Sequence, residues 1–60
     1  MGEILKTVKE IVKKNNLERE YMEMENRGMQ LIEEVVMLMS VNIDKDSRDK
    51  LYNFFMELQA

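Results

Sequence analysis

The 60-residue chain contains no cysteine, no histidine, no proline and no tryptophan, and the first two absences each remove a class of function. Without cysteine there is neither a disulfide nor a thiolate metal site. Without histidine the commonest transition-metal ligand is missing, as is the side chain most used for acid–base work near neutral pH. Glycine occurs twice, at Gly2 and Gly28, too sparsely for a phosphate-cradling loop. No stretch reaches the roughly 18 consecutive apolar residues of a membrane span. The opening MGEILK lacks a basic region followed by an apolar run, so no secretory signal is expected. Lys6 stands where a myristoylation motif requires Ser or Thr. These absences predict a cytoplasmic protein with no cofactor, no metal and no membrane contact.

Catalysis has little else to draw on. The hydroxyl nucleophiles are Thr7, Ser40 and Ser47, with no imidazole to activate them, so no enzymatic activity is expected. Asp44, Asp46 and Asp49 begin like a calcium loop. Counted from Asp44, however, loop positions 6 and 12 hold Asp49 and Phe55 instead of the required Gly and Glu. These acids read instead as helix-capping residues. Glu18, Glu20, Glu23 and Glu25 lack the Glu-x-x-His partner of a dinuclear site and read, with Glu33 and Glu34, as solvated faces.

What is present is helical patterning. Ile4, Leu5, Val8, Ile11 and Val12 follow the spacing of one helical face, and Asn15 and Asn16 tolerate the left-handed backbone that closes helices. A first helix is predicted at about residues 3–14. Leu17, Tyr21, Met24, Gly28, Leu31, Val35 and Leu38 are then separated alternately by four and three residues, a heptad seam. A second stripe, Met22, Met29, Ile32, Val36 and Met39, runs beside it. With Asn16 as its N-cap, this pattern predicts one long central helix over 17–40. The capping-prone Asn42, Asp44, Asp46 and Ser47 precede a last helix at about 45–58, with Leu51, Tyr52, Phe54, Phe55 and Leu58 on its apolar face and Met56 at the edge. The fold class read from the sequence is all-α: a single domain, 1–60, forming a three-helix protomer that pairs into a helical-bundle dimer.

Gly28 decides between two forms of that fold. As a helix C-terminus it would turn the chain; inside a continuous helix it would cost about 1 kcal/mol relative to alanine unless another helix crossed closely there. The seam keeps its phase on both sides of Gly28, which favours continuity and a crossing point. The combined stripes cover more of the helix than the face of a little over 100° that a surface helix needs, so part of the apolar arc asks for a partner. A chain this short also buries only about 60 % of its unfolded surface, which makes an added partner surface useful.

The resulting expectation is a small regulatory or adaptor protein that binds another protein, itself included, as a homodimer. Its partner-binding residues are Met24, Gly28, Leu31, Ile32, Val35, Val36, Leu38 and Met39 of the central helix and Phe54 and Phe55 of the last. Seven methionines, flexible and polarisable, suit such an adaptable surface. The alternative is a nucleic-acid-binding dimer using Lys6, Lys9, Lys13 and Lys14. Residues 1–16 carry a net +2, from four lysines against Glu3 and Glu10. The whole chain, at −3, is acidic where nucleic-acid surfaces are basic.

Overall fold

Two residues with positive φ, Asn16 at 58° and Gly28 at 72°, set the first two corners of the chain. The structure, a computed structural model, describes residues 2–60. Four helices follow in order: α1 Gly2–Lys14, α2 Glu18–Asn26, α3 Leu31–Met39 and α4 Lys45–Gln59. No strand occurs among the described residues, so the all-α reading stands while the three-helix one does not.

The central segment is two short helices, not one long one. A helix over 17–40 would measure about 36 Å at 1.5 Å per residue, yet the molecule's greatest extent is 28 Å. Gly28 is the reason. Its N–H donates to the Glu25 carbonyl at 3.0 Å, and the Met29 N–H reaches back to the Met24 carbonyl at 3.2 Å. Those two bonds make a Schellman motif, with Gly28 at the left-handed position that a side chain would strain. Gln30, extended at φ −78° and ψ 159°, then starts α3. Its N–H donates to Glu33 Oε1 at 2.8 Å, which satisfies one of the amides that a helix start leaves free.

The α1–α2 corner repeats this chemistry. Asn16 takes the left-handed position, the Asn16 N–H donates to Lys13 O at 3.2 Å, and the Leu17 N–H donates to Val12 O at 2.8 Å. Asn16 therefore closes α1. Leu17, and not Asn16 as the sequence suggested, occupies the N-cap of α2, without a side-chain cap. The third corner is held by side chains. Asp44 caps α4, accepting from Ser47 N at 3.0 Å and from Ser47 Oγ at 2.7 Å. Asn15, at the end of α1, donates from Nδ2 to Ile11 O at 2.9 Å and to Ser47 Oγ at 3.4 Å, and its Oδ1 accepts from the Asp44 N–H.

The helices enclose one core: Ile4, Val8, Ile11 and Val12 from α1, Tyr21 and Met24 from α2, Val35 and Leu38 from α3, Ile43 from the connection and Leu51 from α4. The most extensive helix pairing is α3 on α4, while α1 touches both α2 and α4. The radius of gyration is 10.4 Å, about that of a well-folded domain of this length. Among the described residues no helix is long and apolar enough to cross a membrane.

Candidate protein-docking surface

Helical phase decides which apolar residues of α3 and α4 remain outside. In α3, Val35 and Leu38 point into the core and are fully buried. Ile32 and Val36, four residues apart and so on one stripe of the helix, fall on the flank, and Val36 keeps 43 % of its surface exposed. In α4, Leu51 is fully buried and Phe55, one turn on, is half-buried. Between the flanks lies an open groove of about 390 Å³ lined by Met29, Ile32, Glu33, Val36, Met37 and Phe55. Glu33 is the sole charged residue in that lining. The apolar surface continues past the groove along α4, because Tyr52 lies three residues before Phe55 and Met56 four after Tyr52. Tyr52 and Met56 are 56 % and 51 % exposed.

The larger hollow on the molecule, about 560 Å³ between the start of α1 and the end of α4, is different in kind. Ile4 and Phe54 share it with Glu3, Lys6, Thr7 and Glu57. A third, of about 240 Å³, lies between α1 and α2, where Lys9 faces Glu18 and Glu25 over Val12, Tyr21 and Met22.

The ten partner-binding residues expected from the sequence divide four ways. Ile32, Val36 and Phe55 come together in the α3–α4 groove. Leu31, Met39 and Phe54 are half-buried against the core, with Phe54 turned to α1. Met24, Val35 and Leu38 are core residues, and Gly28 forms a turn; a Cβ built on it would meet nothing within 4 Å, so no helix crosses there. Met29, Met37, Tyr52 and Met56 belong to the surface and are not among those ten. A signal was available for two of them: Met29 lies three positions before Ile32, and Tyr52 three before Phe55.

The four lysines of α1 are all exposed. Two have acidic neighbours: Lys14 Nζ lies 3.4 Å from Asp44 Oδ2, and Lys9 faces the glutamates of α2.

Glu34 is a correction. Expected on a solvated face, it is 4 % exposed, because the start of α3 turns that side toward α1 and α2. Burial holds its carboxyl above the usual range. The nearby Tyr21 hydroxyl and Lys9 offset part of that rise, and Glu25 adds to it. Burial also drives the Tyr21 phenol upward, with Glu34 and Glu25 adding to the effect. The Tyr21 hydroxyl is enclosed without a partner in full hydrogen-bond geometry, although it lies near enough to Glu34 to favour the carboxylate. Asp44 goes the other way: its two bonds from Ser47 hold its carboxyl well below the ordinary range, and Lys14 assists.

The described residues hold no group of three acidic side chains placed to bind a metal. Both serine hydroxyls are engaged in structural bonds, Ser40 to Met37 O at 2.7 Å and Ser47 to Asp44. No protein-family model, curated protein or solved structure matches this chain.

Proposed function

We propose that this chain is a small regulatory or adaptor protein that works by protein–protein binding through the outer face of the α3–α4 hairpin, and that it forms a homodimer through the same face. The observation that carries this reading is the groove lined by Met29, Ile32, Val36, Met37 and Phe55 with one charged residue at its edge. Among the described residues, four of the six large apolar residues most exposed, Val36, Met37, Tyr52 and Met56, lie on these two helices. Contiguous apolar surface of this kind marks interaction sites on small proteins. Methionine in the lining of a groove suits the packing of a helix against it. The function is one of occupancy, with no catalytic step, and the lack of cysteine suits the reducing cytoplasm.

Sedimentation equilibrium of the wild type and of Val36→Glu tests the reading. Val36 is half outside, so the variant keeps its helicity by circular dichroism while losing self-association. Association that survives Val36→Glu unchanged contradicts the assignment of the face. Nucleic-acid binding through Lys6, Lys9, Lys13 and Lys14 has less support, since Lys9 and Lys14 already lie beside carboxylates. A gel shift that tightens to nanomolar at low salt and weakens steeply as salt rises would overturn the protein-only reading in favour of it.

A further inference from the structure

The α3–α4 groove has a charge polarity. Phe55, in the later half of α4, shares the groove with Met29 and Ile32 at the start of α3, so the two helices run antiparallel. At that end stands Glu33. Its Oε1 is held by the Gln30 N–H at 2.8 Å, which fixes the carboxylate at the rim and leaves Oε2 for an incoming cation. At the other end Arg48 is exposed, and its guanidinium donates to the Val41 carbonyl, just past the end of α3, at 3.2 Å. Lys45, also exposed, stands there too, among the exposed Asp46 and Asp49. One end of the apolar strip therefore presents the Glu33 carboxylate and the other the Arg48 guanidinium.

A surface with that layout is complementary to itself when one copy is reversed. Resting on the docking reading above, we propose that the occupant of the groove is a second copy of this chain, related by a two-fold axis near Val36, with Glu33 of each copy opposite Arg48 of the other. In such an isologous pairing every contact occurs twice, so two charge pairs bracket one apolar centre. Pairing in the same direction would set Glu33 against Glu33 and Arg48 against Arg48. A stable interface takes about 800 Å² from each partner, a little under a fifth of this chain's 4409 Å². The apolar strip supplies the affinity, and the end charges select the register.

The test is sedimentation equilibrium at low salt on Glu33→Arg, on Arg48→Glu, and on their equimolar mixture. Each variant alone sets like charges together twice and self-associates about tenfold more weakly than wild type. In the mixture the Glu33→Arg chain faces the Arg48→Glu chain with both pairs attractive, one of them native and the other inverted, so wild-type affinity returns. Glu33→Arg also removes the acceptor for the Gln30 N–H, but a frayed helix would not be repaired by mixing. Glu33→Gln, which keeps an acceptor there and loses the charge, shows a smaller weakening. Two results overturn the proposal in distinguishable ways. A wild type that stays monomeric at high micromolar concentration removes the second copy as occupant and leaves the face to a foreign protein. Dimers that tolerate both single variants, or a mixture that fails to recover, remove the antiparallel register while the docking reading stands.

Discussion

Gly28 and Glu34 show how a single residue sets the behaviour of a chain this small. Gly28 is held at φ 72° with open space where a Cβ would stand, so the cost of a side chain there is backbone strain, not crowding. Gly28→Ala is expected to destabilise the protein by about 1 kcal/mol, read as a lower urea midpoint with an unchanged slope. A continuous helix would give the opposite sign, because alanine is the better helix former by about the same amount. Gly28→Asn should cost less, since Asn16 already serves that role at φ 58°. Glu34 governs the pH response. Its folded-state pKa is raised above the ordinary 4.5, so the native state holds a proton that the unfolded chain has released. Stability then rises as pH falls from neutral through the raised value. Asp44 has a folded pKa below its ordinary 3.8, so its contribution is complete above that value and is lost as pH falls further. Thermal melts should place the optimum on the acid side of neutral. Glu34→Gln should melt higher at pH 7 and lose the acid-side gain; a wild type whose stability climbs from pH 5 to 7 would contradict this.

Among the elements, α1 and α4 were legible because periodicity and caps agreed. The expected 3–14 and 45–58 differ by one residue at their ends from Gly2–Lys14 and Lys45–Gln59. The central pair was not legible by the same means. Leu17, Tyr21, Met24, Leu31, Val35 and Leu38 do share one inward side, but two helices supply it. The four residues from Arg27 to Gln30 turn the chain without shifting the seven-residue phase of the sequence. A shorter signal carried the break. VKKNNL and MENRGM share one pattern, an apolar residue, then Asn or Gly four positions on, then a second apolar residue, and both close a helix through the same pair of bonds. The first was read as a helix end and the second was not. The α1–α4 corner rests on Asn15, whose amide ties the end of α1 to Asp44 and Ser47. Asn15→Ala should cost about 1–2 kcal/mol through lost bonds to part-buried groups. Hydrogen exchange should then quicken at the end of α1 and the start of α4; unchanged protection there would contradict the role given to this corner.

At the scale of the whole molecule, four short helices enclose a core of ten buried apolar residues, a small core for a folded chain. Folding against itself leaves the outer side of α3 and α4 unfinished, and the proposed function lies on that side. Sequence periodicity found the right helices for it but placed the surface too far inward. Val35 and Leu38 lead the seam and are buried, while Met37, Tyr52 and Met56, off the seam, are outside. A one-dimensional pattern gives the strength of an apolar face but not the angle at which neighbouring helices cover it. The apolar arc that implied a second chain was real in α3, but α4 covers much of it. The remainder is the outer strip that includes Val36, Met37, Tyr52 and Met56. The central claim is that this remainder is where the protein meets its partner, a second copy. Amide chemical shifts recorded across a dilution series from millimolar to micromolar protein test it most directly. The account predicts concentration-dependent shifts at Ile32, Val36, Met37 and Phe55 with none at Lys6, Lys9 or Lys13; shifts gathered on α1, or no concentration dependence anywhere, would contradict it.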